Sequence, residues 1–350
     1  MIAKFRVSVA ATWLAKYRRL RLNMAPPKHA VPVFSVLKAG RIAKVDAGED
    51  AFFQIGTPKY QYLGVADGVG SWEKAGVDPS IFSWSLMNYA HDKVKEGMLG
   101  DPASKEANLS PLELLHHAYE SVLKDEAVKA GSSTASLLRI NKHTGMLDSA
   151  NLGDSSFLII RDRKEIIFRS PEQQHFFNCP YQLAIRPNGP SRDGYICDKP
   201  SDAAVKSIQL KDHDIVILAT DGYFDNMFDQ DTLAGVQNAL SGFMPSDFKN
   251  ANLSNVSRDN IAEPLKFKSF DNIKLESQVS SQWLDVQIRR MCHKLAARAR
   301  LFSLDKHRRS PWTEYVLNNY HYHEAAGKID DITILVALIQ KDHQLSVASD

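Results

Sequence analysis

The stretch QYLGVADGVGSW carries an apolar run into Asp67-Gly68, and DIVILATDGYFDN does nearly the same at Asp221-Gly222. A third acidic site, Asp330-Asp331, opens KIDDITILVALI. Asp-Gly between apolar runs is a strong hairpin signal. Neither site, however, leads cleanly into a second strand: GVGSWEKAGVDPS follows the first and GYFDNMFDQDT the second. The other reading is ligation. Hard divalent cations take oxygen ligands, chiefly carboxylates, backbone carbonyls and water. An aspartate at a strand end is held rigidly, and the next glycine lets the backbone approach a ligand closely. Glu49-Asp50, Asp154 and Asp225 are acidic candidates in comparable positions. If such groups converged bare, two unit charges 4 Å apart would cost about 4 kcal/mol at an effective dielectric of 20. Convergence therefore implies metal, and two ions about 3.5–4 Å apart can activate water for in-line attack on phosphorus. Spacing alone does not establish convergence.

The elements that must position these groups fall into two textures. DPSIFSWSLMNYAHDKVKEG repeats apolar residues at Phe82, Leu86, Tyr89 and Val94, which predicts a helix. SPLELLHHAYESVLKDEAVKAG predicts another, with Ser110 as N-cap, Pro111 at the first position and Glu113 closing a capping box. From Ser133 to Ser170 the chain reads as short antiparallel strands, with turns at His143-Thr144-Gly145, Gly153-Asp154 and Asp162-Arg163. Further strands are expected at Val205–Leu210, Ile215–Ala219 and in DITILVALI, and helices at Gln230–Leu240 and in WLDVQIRRMCHKLAARARLFSL. The polar stretch between Ser241 and Ser281 reads as a surface insertion. Helices grouped around runs of strands point to α+β layers rather than alternating βαβ units.

With 350 residues, 44% of them hydrophobic, the chain can bury a sizeable core. A formal charge of +2 is too small to argue for nucleic acid. Cys179, Cys197 and Cys292 are too far apart for a disulfide framework or a zinc cluster. No run approaches the roughly 18 apolar residues of a membrane span. The small net charge hides an asymmetry: Met1 to Val45 contains no acidic residue. Read as a helix, this segment sets Ile2, Phe5, Val9, Trp13 and Leu20 on one face, with Lys16 intruding. An acid-free, arginine-rich amphipathic segment has the composition of a mitochondrial transit peptide; a basic tail or a nuclear address is the alternative. On this reading residues 1–40 are transit peptide and linker, 41–342 the folded domain with its insertion at 241–281, and 343–350 a tail.

GEDAFF, GVADGVGSW, GSSTASLLRI, ANLGDSSFLIIR, RSPEQQHFFNCPYQL, LATDGYFDNM and DDITILVALI stand in the order found in the metal-dependent serine/threonine phosphatases of type 2C. ADGVGSW, EQQHFFNCPYQL and TDGYFDNM resemble the mitochondrial branch of that family in particular. The resemblance implies a four-layer αββα sandwich of two antiparallel sheets, with the metal centre between them. It implies that Asp67 bridges two manganese or magnesium ions, that Gly68 adds its carbonyl, and that Asp221 and Asp330 complete the catalytic set. Glu49-Asp50 corresponds to the family's acidic pair, with Asp50 acting through water. A third, weaker ion in some relatives matches Asp154, Asp221 and Asp225. The implied reaction is hydrolysis of phosphoserine or phosphothreonine by a metal-bridging water, without a covalent enzyme intermediate. The implied setting is the mitochondrial matrix, with phosphorylated matrix proteins as substrates, including those of coenzyme Q biosynthesis, and a monomeric enzyme.

The chain departs from the family pattern twice. Many relatives carry histidine after the first Asp-Gly, where this chain has Val69. Many also carry a phosphate-binding arginine shortly before the Glu-Asp pair, where only Arg41 and Lys44 lie near, at other spacings. His175 has either a structural or a substrate-facing role. Other phosphatase chemistries fit poorly. Cys292 to Arg298 is formally C-x5-R, but it lies in a helical stretch without a glycine-rich phosphate loop. ATDGYFD lacks the Asp-x-Asp of a haloacid-dehalogenase-type enzyme. The alternative from another class is a catalytically silent scaffold, whose mark would be lost carboxylates; all are present.

Overall fold

The structure, a computed structural model, describes residues 5–16, 45–99, 108–187, 195–239, 272–320 and 326–341. Two five-stranded antiparallel sheets face each other. One runs β1 (Phe5–Leu14), β14 (Ile332–Lys341), β13 (Ile215–Ala219), β7 (Ser156–Arg161), β8 (Glu165–Arg169). The other runs β12 (Ala204–Gln209), β6 (Met146–Leu152), β5 (Ala135–Asn141), β3 (Tyr60–Asp67), β2 (Asp50–Gly56). Leu63, Val65, Leu138, Phe157, Val216 and Leu335 fill the space between them. α1 (Pro79–Leu99) and α2 (Pro111–Lys124) cover the outer face of the second sheet. A four-residue α3 (Asp221–Phe224), α4 (Asp229–Ala239) and α5 (Asn272–Ser303) cover the outer face of the first. α6 (Pro311–Tyr320) follows α5. This is the expected αββα sandwich.

Local sequence explains most of the elements. β13 and β14 are almost uninterrupted apolar runs because each is buried on both faces, by the opposite sheet and by helices. The capping box of α2 is complete: Ser110 Oγ accepts from Glu113 N at 3.2 Å, and Ser110 N donates to Glu113 Oε2 at 2.9 Å. Asp162 and Arg163, at φ 52° and 60°, are the central residues of the turn between β7 and β8, closed by Lys164 N donating to Arg161 O at 3.0 Å. β9 (Gln174–Phe176), β10 (Cys179–Pro180), β4 (Gly131–Ser133) and β11 (Leu183–Ile185) form two short ribbons beside the sandwich.

The N-terminal segment corrects the sequence reading. Phe5–Leu14 is not an import helix but strand β1, paired along its full length with β14 from Phe5↔Lys341 to Leu14↔Ile332. Its residues alternate: Val7, Val9 and Ala11 face the core between the sheets, while Ala10 and Leu14 face α5. The folded domain therefore includes residues well before 41. Residues 17–44, with Arg41 and Lys44, lie outside the described residues, as does the tail after 341. Most of the polar insertion does too, and its far end differs from expectation because α5 already begins at Asn272. Cys292 is buried in α5, with its thiol pushed up to about 12 by burial, so C-x5-R forms no phosphate loop. Among the described residues no helix is long and apolar enough to cross a membrane.

Candidate active site

The two sheets bring their acidic residues to one end of the sandwich. Asp50 begins β2 and Asp67 ends β3, and the two lie directly opposite in register. Asp221 follows the end of β13, while Asp330 and Asp331 precede the adjacent β14. Asp154 sits in the turn between β6 and β7. Glu49, Asp67, Gly68, Asp154, Asp221 and Asp330 line one cleft of about 560 Å³. Asp50 lies behind it, fully buried, and accepts a hydrogen bond from Thr220 Oγ1 at 2.9 Å. Asp225 joins the cluster through Lys328. The structure thus places all eight residues singled out in the sequence at this end.

Backbone geometry makes room for the cluster. A Cβ on Gly68 would lie 2.7 Å from Pro79 O and 2.9 Å from Glu49 O. Gly48 has φ 74°, and a Cβ there would lie 2.2 Å from the Asp331 carboxylate. That carboxylate turns away from the cleft and accepts from Glu49 N at 2.8 Å and Lys16 N at 2.6 Å.

Two lysines supply the countercharge. Lys16 Nζ is 2.5 Å from Glu49 Oε2, 3.6 Å from Asp330 and 3.8 Å from Asp331. Lys328 Nζ donates to Asp221 and, at 2.6 Å, to Asp225, with Asp330 at 3.3 Å. Burial works to lower the Lys16 and Lys328 ammonium groups. The neighbouring aspartates, led by Asp330 for Lys16 and Asp221 for Lys328, win and hold them above the usual range. Burial, then mutual repulsion, pushes Asp50, Asp67 and Asp154 well up. Burial also works to raise Asp221, but Lys328 outweighs it and holds that carboxyl low. Among the described residues no three acidic, histidine or cysteine side chains meet at one ion-binding point, since ammonium groups stand between the carboxylates. Even so, Glu49 Oε1, Asp50 Oδ1, Asp154 Oδ1 and Asp221 Oδ1 are buried without any hydrogen-bond partner.

Away from the carboxylates the cleft has an aromatic wall, with Thr134, Asn178 and Gln182 also lining it. Trp72 stacks on Tyr195 at 5.2 Å, and its Nε1 donates to Ser132 Oγ at 2.6 Å, which donates in turn to Gln182 Oε1. Phe176, Pro180 and Ile196 continue this wall.

Residues 102–263 match the family described as Stage II sporulation protein E (SpoIIE). The 5-azacytidine resistance protein azr1 of Schizosaccharomyces pombe is 38% identical over 84% of this chain and 83% of its own length. The protein phosphatase PTC7 homolog of Xenopus laevis is 33% identical over 83% of this chain and 81% of its own. The Homo sapiens PTC7 homolog is 32% identical over 83% and 79%. The chain belongs to the PP2C-type protein phosphatases. The X-ray structure of the photosystem II phosphatase PBCP agrees in fold, with a TM-score of 0.63 at 22% identity over 95% of this chain and 98% of that one.

As a PP2C-type phosphatase this chain is a serine/threonine protein phosphatase, and its cleft holds residues that the sequence did not flag. Lys16 was hidden in the segment read as an import helix. Lys328 had a faint signal, a lysine two residues before an Asp-Asp pair. Val69 lines this phosphatase's cleft, and no histidine does among the described residues. His175 Nε2 pairs with Asp198 at 3.0 Å and its ring stacks on Tyr181 at 4.2 Å, which anchors the β9–β10 ribbon.

Proposed function

We propose that this phosphatase hydrolyses phosphoserine and phosphothreonine in proteins with two manganese or magnesium ions held by Asp67, Asp221 and Asp330. The carrying observation is that Asp67, Asp221 and Asp330 line one cleft where one oxygen each of Asp221 and of the neighbouring Glu49, Asp50 and Asp154 is buried without a hydrogen-bond partner. Such oxygens are costly unless cations complete them. The donors suit a hard divalent ion: all are carboxylates, with the Gly68 carbonyl beside them and no thiol or imidazole in the ligand set. Glu49 and Asp50 support this set from the β2 side, and Asp154 and Asp225 flank it. Bound ions supply the charge that activates water and neutralises phosphoryl oxygens.

The chain's own residues do the rest. Lys16 reaches the cleft from the end of β1 and presents its ammonium beside Glu49 and Asp330. It takes the phosphoryl-binding role for which no arginine stands at the matching spacing. Trp72, Tyr195 and Phe176 seat the peptide on either side of the phosphorylated residue. With Val69 in the cleft and no histidine lining it among the described residues, the departing hydroxyl takes its proton from water.

We place the enzyme, as a monomer, in the mitochondrial matrix, acting on matrix phosphoproteins that include those of coenzyme Q biosynthesis. This setting is supported by the resemblance to the mitochondrial branch alone, because Phe5–Leu14, in the stretch that suggested an import helix, is β1.

The test uses the full chain, since removal of its first 40 residues would remove β1. Turnover of p-nitrophenyl phosphate and a phosphothreonine peptide is compared with manganese, magnesium and chelator. Metal-dependent turnover is expected, lost by about a thousandfold or more in Asp67→Asn and Asp221→Ala. A folded chain equally active in chelator would sink the reading.

A further inference from the structure

Lys328 is built into the acidic cluster and does not hang over it. Its ammonium donates to Asp221 and Asp225, lies 3.3 Å from Asp330, and sits 4.8 Å from the centre of the Trp312 ring. Asn226, fully buried, clamps the lysine backbone from both sides. Asn226 Oδ1 accepts from Lys328 N at 2.9 Å, and Asn226 Nδ2 donates to Lys328 O at 2.8 Å. The same Nδ2 donates to Gly222 O at 2.9 Å, which ties the lysine to α3, the helix that begins with Asp221. Only 14% of the Lys328 side chain is exposed. Asp221 and Asp225 are also the two carboxylates that, with Asp154, match the third-ion position of some relatives.

We propose that Lys328 is a positioning residue whose tethered ammonium stands in place of a third cation at Asp221 and Asp225. The chain then works with two ions. This rests on the two-ion reading above. Lys328 and a cation compete for the same carboxylates. A lysine fixed by its own backbone is present at every metal concentration. An ion that would use Asp225 must displace it against the pull of three carboxylates and the face of Trp312. Asp67, Asp154 and Asp221 line the cleft as well, and one oxygen each of Asp154 and Asp221 is buried there without a hydrogen-bond partner.

Equilibrium dialysis of the full chain against manganese, with bound metal counted by elemental analysis, tests this without reading activity. The wild-type chain is expected to bind two ions, and Asp225→Asn to bind two with little change in affinity. Lys328→Met is expected to take up a third ion, at least about tenfold more tightly than any third ion on the wild type. Lys328→Arg, which keeps the charge, is expected to return the count to two. The proposal falls if Lys328→Met matches the wild type in count and affinity. It falls equally if the wild type binds three ions and Asp225→Asn loses one, a result that stands even if Lys328→Met does not fold. A wild-type chain that binds no manganese removes the two-ion reading itself, and this inference with it.

Discussion

Asp67 and Lys16 show how differently two residues of one site are written in a sequence. Asp67 announces itself locally: an apolar strand, a carboxylate at its end, and a glycine whose missing Cβ lets Pro79 O and Glu49 O approach. Lys16 reaches Glu49 across 33 residues of chain, and no local pattern marks it. The two also call for different losses on mutation. Asp67→Asn removes a charge that no neighbour replaces, and should reduce kcat. Lys16→Met should act mainly on binding, raising KM for a phosphopeptide about tenfold or more with a smaller change in kcat, as expected for a lost charge-assisted contact to a phosphoryl group. Steady-state kinetics at saturating manganese separate the two. An unchanged KM would make Lys16 a structural partner of Glu49 and Asp331 only.

At the scale of elements, most boundaries were legible because each carries its own signal. The capping box at Ser110 and Glu113 fixed the start of α2, and the Asp162-Arg163 turn fixed the β7–β8 hairpin. Ser110→Ala should cost about 1 kcal/mol, read as a lowered urea midpoint with an unchanged slope. β1 was misread because its apolar residues fit a helical face and a period of two alike. Long-range pairing with β14 decides between them, and a single sequence does not display pairing. Its basic character is met by α5, where Asp285 accepts from Arg6 at 3.1 Å. A chain cut after residue 40 should therefore lose an edge strand that closes both the inter-sheet core and the floor under α5. We expect it to melt at least about 10 °C lower than the full chain, or to be insoluble when expressed. A truncated chain with the full melting temperature would show that β1 contributes nothing to the domain.

At the scale of the whole molecule, the layers were legible from texture, and the meeting of the acidic residues was not. Asp50 and Asp67 belong to one sheet, Asp221 and Asp330 flank strands of the other, and only the stacking of the two sheets brings these ends together. That stacking makes stability depend on pH in a sign opposite to ordinary salt-bridged carboxylates. Asp50, Asp67 and Asp154 are pushed well up by burial and repulsion, and burial pushes Asp225 up to about 7. In the unfolded chain the same groups titrate near about 3.9. Between those values the folded state holds protons that the unfolded state has released. The stability these groups contribute is therefore complete below about pH 4 and is lost as pH rises, for Asp225 through about 7 and for Asp50, Asp67 and Asp154 in the same direction. Lys16 and Lys328 are held above the usual lysine range, so they stay charged in both states across this window and leave its sign unchanged. The chelated chain should thus melt several degrees lower at about pH 8 than at about pH 5.5. Manganese should raise the melting temperature more at the higher pH, where no proton competes for the carboxylates. A melting temperature that rises with pH in chelator would mean that the two lysines already compensate the cluster in full, and that cations are not needed to hold it together.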